Sequence, residues 1–189
     1  MTRKRTDNAD MDAKLGLRRW FLNRYHGGQR VRVIDCCAGL GRIWGSLRKE
    51  YDIDYWPLDV KPIPGVQRIA SERLLAMPGW QADVVDVDTY GQPWKHWLAM
   101  LPNAPAPLTV FLTSGRAGGM NGRYGNEIRR IVGWQFEQLD PPPMLLSEFA
   151  DIVERALLSQ AANVGLRIAD ARFASSRNAR YLGLRLEKA

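Results

Sequence analysis

Cysteine is scarce in this sequence: there are two in 189 residues, and they are adjacent, Cys36 and Cys37. Neighbouring cysteines close only a strained ring, so a disulfide framework is excluded and both read as free thiols. Histidine is equally rare, with His26 and His96 alone. The two lack the paired spacing of a metal site, so a solvated or core role is expected and no metal is predicted. No apolar run approaches the roughly 20 residues that a membrane helix needs. The basic N-terminal stretch MTRKRTDNADMDAKLG is followed by no apolar h-region, so neither a secretory signal nor an anchor is read, and a cytoplasmic location is expected. Internal repeats and low-complexity tracts are also missing.

What is present is an ordinary globular balance, 46% hydrophobic and 25% charged. The length suits one α/β domain, expected over 1–189, with 1–28 as a leading helical segment. Lysine and arginine number 27 against 20 acidic residues, a net charge of +7. Such a balance suits a polyanionic partner, RNA or DNA, with simple solubility charge as the alternative.

Hydrophobic periodicity organises the chain. Met11, Leu15, Leu17, Trp20, Phe21 and Leu22 recur among charges, which predicts an amphipathic helix over 9–25. VRVID, 31–35, is a short β-branched run that stops at a glycine-containing loop, as a buried parallel strand should. A helix is expected over 42–50 and a second strand over 55–58, ending at Asp59. Residues 66–77 read either as a strand followed by a short helix or as one helix. The stretch 59–83 is too short for a full helix, strand and helix, so one crossover element is expected to be missing. ADVVDVD supplies a strand running to Asp88, a Trp-rich helix follows over 93–101, and LTVFLTS is another buried strand. Residues 114–143 are irregular and arginine-rich, a candidate target-recognition loop. A helix over 146–162 and strands near 164–173 and 180–186 follow. The whole reads as an α/β three-layer, Rossmann-like sandwich, its mostly parallel sheet ending in an antiparallel hairpin.

Two segments carry chemistry. In the first, Asp35, Cys36, Cys37, Ala38, Gly39, Leu40 and Gly41 occupy the carboxyl end of a strand just before a helix. Glycines there let the backbone approach a bound cofactor, and strand ends are where open α/β sheets bind ligands. Asp35 is placed to orient an amino group or the loop amides, with Cys37, Ala38, Gly39 and Gly41 shaping the cradle. Asp59, about twenty residues on, is placed to accept two ribose hydroxyls, unless it is only a loop acid paired with Lys61. Ser71 and Glu72 approach an adenine edge if a strand precedes them. Gly39, Gly41 and Gly45 also imitate a dinucleotide fingerprint, so a nicotinamide cofactor and a purely structural turn both remain open.

The second segment is VDVDTYGQPW, which delivers Asp88, Thr89, Tyr90 and Gly91 to one turn at the sheet edge. An amino group on a flipped-out base needs a carboxylate to hold its hydrogens and a ring to stack on, and Asp88 with Tyr90 offers both. Asp88 would orient the amine and take its proton, unless it serves only as a helix N-cap. Asp86, on the same face, is placed to flank the cofactor. Gly91, Arg116, Arg123, Tyr124 and Arg129 are assigned to substrate, since guanidinium groups with an interleaved ring hold phosphates and stack bases; a solvated basic helix face is the alternative. Arg167, Arg172, Arg177, Arg180 and Arg185 are expected to extend the same positive surface.

With these residues in place, the chain resembles the class I S-adenosylmethionine-dependent methyltransferases, whose first loop carries an acid followed by alternating glycines; Cys37 stands at the first glycine position. Residues 31–114 resemble in particular the tRNA guanine-N2-dimethyltransferase family, whose Asp-Pro-Phe-Gly turn corresponds to DTYG, with Thr89 in place of proline and Tyr90 in place of phenylalanine. The resemblance implies S-adenosyl-L-methionine as cofactor and methylation of an exocyclic amine on a base in RNA or DNA. Two further readings are a non-catalytic nucleic-acid-binding module or partner-dependent subunit with the same fold, and a nicotinamide-dependent oxidoreductase.

Overall fold

VRVID does form a strand, β1 (Val31–Asp35), and it lies between two parallel neighbours inside a sheet that has seven strands among the described residues. The computed structural model describes residues 10–89, 91–115, 146–176 and 179–189. Around β1 the chain runs α1 (Met11–Tyr25), α2 (Arg42–Leu47), β2 (Ile53–Asp59), β3 (Gln67–Arg68), α3 (Ser71–Leu75), β4 (Val84–Val87), α4 (Trp94–Met100), β5 (Leu108–Gly115), α5 (Leu146–Leu158), β6 (Leu166–Ser175) and β7 (Ala179–Lys188). The sheet order is β3-β2-β1-β4-β5-β7-β6. The first five strands pair parallel, while β7 pairs antiparallel with both β5 and β6. The terminal hairpin carries an irregularity between Ile168 and Asp170.

The expected gap in the crossovers is real. No helix separates β2 from β3; residues 60–66 form only a turn that hydrogen-bonds Val66 to Ile63. Pro62, Pro64 and Gly65 deny that segment a helix, since proline removes amide donors and Gly65 sits at φ 74. Of the two readings of 66–77, the strand-plus-helix one holds, with β3 only two residues long.

Strand alternation sends side chains to two separate cores. On one face Val31, Val33, Val84 and Phe111 pack with Phe21 and Leu22 of α1 and Ile43, Trp44 and Leu47 of α2. On the other, Ile34, Leu58, Val85, Val87, Val110 and Leu112 pack with Leu75 of α3, Trp94 and Trp97 of α4, and Val153 and Leu157 of α5. The result is three layers, helix, sheet and helix. The approach of α1 depends on one position in β7: a Cβ built on Gly183 would stand 2.4 Å from Phe21 Cε2. Only a glycine lets that ring lie flat on the strand.

Parity also decides where the acids go. Asp35 at the end of β1 and Asp86 and Asp88 at the end of β4 share a face with Val33 and Val84, the face covered by α1 and α2. The buried side of α1 is accordingly not purely apolar: Lys14 and Arg18, one turn apart, lie buried among Leu15, Leu17, Phe21 and Leu22. Burying cations on this scale is unfavourable unless carboxylates meet them, and the strand ends provide these.

Candidate active site at the carboxyl edge of the sheet

The first loop leaves β1 with Cys36 N donating to Asp86 O at 2.8 Å and Ala38 N to Leu58 O at 3.0 Å, so three adjacent strands hold it. It then turns through Gly39 at φ 52 and Gly41 at φ 64, both left-handed. Gly39 N donates to Asp59 Oδ2 at 3.1 Å, and Lys61 N donates to Oδ1 of the same side chain at 2.9 Å. Asp59 thus stands at the end of β2 facing the glycine loop, half-buried, bonded to backbone amides. The space where a Cβ of Gly39 would project is open, whereas one on Gly41 would press on Tyr55 Oη at 3.1 Å.

Asp35 is buried and accepts a 2.7 Å hydrogen bond from the Tyr55 hydroxyl. Burial first, and then the neighbouring charge of Asp86, push its carboxyl up to about 8, against the pull of Tyr55 and Arg18. Burial together with the Asp35 charge raises Tyr55 as well. Cys36 and Cys37 are driven upward chiefly by burial, so neither is a thiolate at neutral pH and neither has the character of a nucleophile.

Asp86, which alternation placed beside the cofactor, has its carboxylate engaged inside the protein. It is 1% exposed and saturated: Arg18 Nε and Nη2 form a two-pronged pair with it at 2.7 Å each, and Trp44 Nε1 donates at 2.7 Å. Burial works against the Arg18 charge, but Asp86 more than restores it and the guanidinium is held above its ordinary value. Asp88, two residues on, receives Lys14 Nζ at 2.5 Å and keeps a partly exposed carboxylate. It is not the cap of α4, whose N-cap position is Pro93 with no side-chain cap bond.

The turn after Asp88 is stapled to the end of β5. Gly115 N donates to Gly91 O at 2.7 Å, Gln92 Nε2 to Gly115 O at 3.1 Å, and Ser114 Oγ to Gln92 Oε1 at 3.0 Å. Gly91 sits at φ 101 with open space on its Cβ side. The Thr89 hydroxyl is buried and has no hydrogen-bond partner among the described residues. Tyr90, Arg116, Arg123, Tyr124 and Arg129 lie outside the described residues, as do Arg177 and, apart from Ser114 and Gly115, the candidate recognition loop.

Ser71 and Glu72 do fall at the start of a helix just after β3. Ser71 is 2% exposed; its Oγ donates to Cys36 O at 2.7 Å and meets His96 Nε2 at 3.0 Å. A serine has one hydroxyl hydrogen, so His96 Nε2 must be the donor in the second contact. Ser71 therefore acts on the first loop through its backbone, and Glu72 faces Lys95 and His96. His26 is a core residue, its Nε2 3.0 Å from Thr109 Oγ1.

The four late arginines among the described residues are each engaged by another side chain. Arg185 is buried and donates to Thr109, Arg180 pairs with Asp151 and Glu154, and Arg167 pairs with Glu187. Arg172 stacks over Trp20 at 3.7 Å. Lys14, Arg18, Trp44, Tyr55 and His96 are the residues that periodicity did not assign to the site. The available signal was Lys14 and Arg18 standing four apart on an otherwise apolar helix face.

A sheet ordered β3-β2-β1-β4-β5-β7-β6, with one strand inserted antiparallel, is the class I methyltransferase fold rather than the all-parallel dinucleotide fold. Among solved structures, the chain is similar to Trm1 from Pyrococcus horikoshii in complex with S-adenosyl-L-methionine: TM-score 0.67, 14% identity, 95% of this chain and 55% of that one. It is also similar to M. jannaschii TYW2 in complex with AdoMet, with TM-score 0.56, 12% identity, and 94% and 77% of the two chains. A putative methyltransferase from Escherichia coli, yhhF, aligns at TM-score 0.51 and 12% identity over 90% and 85%. The chain spans little more than half the length of Trm1. Compared by sequence, it matches no family and no curated protein. Among the described residues no helix is long and apolar enough to cross a membrane, and no group of His, Cys, Asp and Glu side chains is arranged to hold a metal ion.

Proposed function

We propose that the protein is an S-adenosyl-L-methionine-dependent methyltransferase acting on an exocyclic amine of a base in RNA or DNA. The observation that carries this reading is the placement of three acids at three strand ends of one sheet edge: Asp35, Asp59 and Asp88 follow or end β1, β2 and β4 around a left-handed glycine loop. The chemistry of that set fits the cofactor. Asp59 offers acceptors to ribose hydroxyls, Gly39 leaves open space beside it, and Asp35 is a buried acid suited to a cationic amino group.

When bound, the cofactor supplies a methyl on a sulfonium leaving group, so the protein chiefly aligns the acceptor nitrogen with it. Asp88 accepts an N–H of the acceptor amine, which directs the nitrogen lone pair, and receives the proton released on transfer. Tyr90 follows directly in the chain and offers a stacking face to the base. Arg116, Arg123, Tyr124 and Arg129 follow β5 in the sequence and are assigned to phosphate and base contacts in this reading. Similarity in fold to Trm1, a tRNA dimethyltransferase, supports a nucleic-acid substrate.

Calorimetric titration with S-adenosylmethionine and S-adenosylhomocysteine tests the cofactor assignment, and absence of binding to folded protein refutes it. Transfer of labelled methyl to total RNA or genomic DNA, read by nucleoside mass spectrometry, tests the substrate class. Asp88→Ala should lower transfer by about two orders of magnitude or more while cofactor affinity survives.

A further inference from the structure

The Asp88 carboxylate that the proposed reaction needs is met, in this structure, by an amine of the protein itself. Lys14 Nζ stands 2.5 Å from Asp88 Oδ2, with side-chain exposures of 7% and 17%, and 5.2 Å from the centre of the Tyr181 ring. The neighbouring acids offer it no comparable seat. Asp86 is saturated by Arg18 and Trp44, and Asp35 is covered by Tyr55.

The geometry also permits Lys14 to leave without moving its helix. Its carbonyl oxygen accepts a 3.1 Å hydrogen bond from Arg18 Nη1, and Arg18 is itself clamped on Asp86. The backbone of α1 is thus fixed independently of the Lys14 side chain, whose four-carbon stem carries a single rotatable charge.

Resting on the reading of Asp88 as the amine-holding group, we infer that Lys14 is a specificity-determining residue: an internal amine that the acceptor amine displaces from Asp88. Displacement costs the ammonium a largely buried ion pair, and an anion that receives the ammonium lowers that cost. A free nucleoside offers none. A polynucleotide brings phosphates beside the target base, and its remote contacts supply binding energy for the exchange. Lys14 accordingly discriminates against free nucleosides and in favour of a base embedded in a polyanion.

The test is methyl transfer by wild type and Lys14→Met to an RNA or DNA oligonucleotide that wild type methylates, and to free guanosine, adenosine and cytidine. Wild type should act on the oligonucleotide and scarcely on nucleosides. Lys14→Met should raise kcat/KM for the nucleoside carrying the target amine by about tenfold or more, through a lower KM, and so reduce the preference for the oligonucleotide. An unchanged preference, or a fall in kcat for both acceptors with KM constant, overturns the inference and makes Lys14 a support for Asp88.

A second measurement does not depend on the variant folding. The Lys14 ammonium resonance of the wild type, shielded from solvent exchange by the ion pair, should shift on adding that oligonucleotide with S-adenosylhomocysteine but not on adding the nucleoside. A resonance indifferent to the oligonucleotide sinks the idea. Wild type that methylates no RNA or DNA at all refutes the parent reading, and the role of Lys14 falls with it.

Discussion

Arg18 and Asp86 form a buried two-pronged ion pair, both side chains 1% exposed, that ties the first helix to the end of the fourth strand across 68 residues of sequence. The guanidinium fork matches the carboxylate, and Trp44 Nε1 supplies a third donor, so the pair is satisfied on every side the strand leaves open. Breaking such a pair from one side leaves an uncompensated charge. Arg18→Met should therefore destabilise the fold by about 3–5 kcal/mol. In the double variant Arg18→Met with Asp86→Asn no buried charge is left alone, and most of that loss should return. Denaturant unfolding of each single variant and of the double variant checks this, and additive losses would show that the pair is not coupled.

Gly183 should be as sensitive as any large core residue. A β-carbon there would lie 2.4 Å from Phe21 Cε2 and 2.9 Å from Cδ2, and Phe21 is fully buried against Phe111 and Trp20. Gly183→Ala forces the helix to lift, at a cost of about 1–3 kcal/mol. Lifting α1 also draws Lys14 and Arg18 away from Asp88 and Asp86. The expected outcome is a lowered Tm together with impaired methyl transfer, and partial rescue of both by adding Phe21→Leu, which removes the ring from the collision.

Both contacts join elements far apart in the chain, and no local pattern announces either of them. β1, the glycine loop, β4, β5 and the terminal hairpin were legible because each is a contiguous run whose hydrophobic pattern and bounding turns are local. The missing crossover helix was legible from length alone. The two-residue β3 was not separable from a helical reading, because two residues carry no period. Asp86 and Asp88 share a face by alternation, so sequence could not tell that one is sealed by Arg18 and the other met by Lys14. That difference is set by a helix more than sixty residues earlier and by a glycine in β7 that admits it. The late arginines follow the same rule: the partners of Arg167, Arg172, Arg180 and Arg185 lie on other elements.

Asp35 predicts a pH dependence. Its folded-state carboxyl titrates near 8, well above its ordinary 3.8, because burial and the adjacent Asp86 oppose its charge. A raised acid binds its proton more tightly in the folded state, so stability should fall as pH rises from about 4 to about 8 and level off above that. Asp35→Asn keeps a neutral side chain at all pH values and should flatten this slope, giving a protein more stable than wild type at pH 8. If Asp35 also holds the cationic amino group of the cofactor, the same variant binds S-adenosylmethionine more weakly. Wild type at pH 7 should release a proton on binding it, measurable by calorimetry in two buffers of different ionisation enthalpy. Binding with no proton released would detach Asp35 from the cofactor while leaving the stability argument intact.

Gly41 joins the cofactor loop to the Asp35 environment, and its substitution should separate two effects. It lies at φ 64, where a β-carbon costs about 1 kcal/mol of backbone strain. That carbon would also stand 3.1 Å from Tyr55 Oη, tighter than ordinary contact. Tyr55 cannot yield freely, since its hydroxyl is bonded to Asp35 at 2.7 Å and Arg48 lies over its ring at 5.7 Å. Gly41→Ala alone should therefore lower stability by about 1–2 kcal/mol and weaken cofactor binding as the loop shifts. Gly41→Ala with Tyr55→Phe removes the crowding oxygen but keeps the backbone strain, so only part of the stability should return. Removing the hydroxyl also deprives Asp35 of a donor to its charged form, which moves its titration further upward and extends the falling limb of the stability profile above pH 8. Full recovery of stability in the double variant would show that crowding at Tyr55, and not the left-handed backbone, reserves this position for glycine.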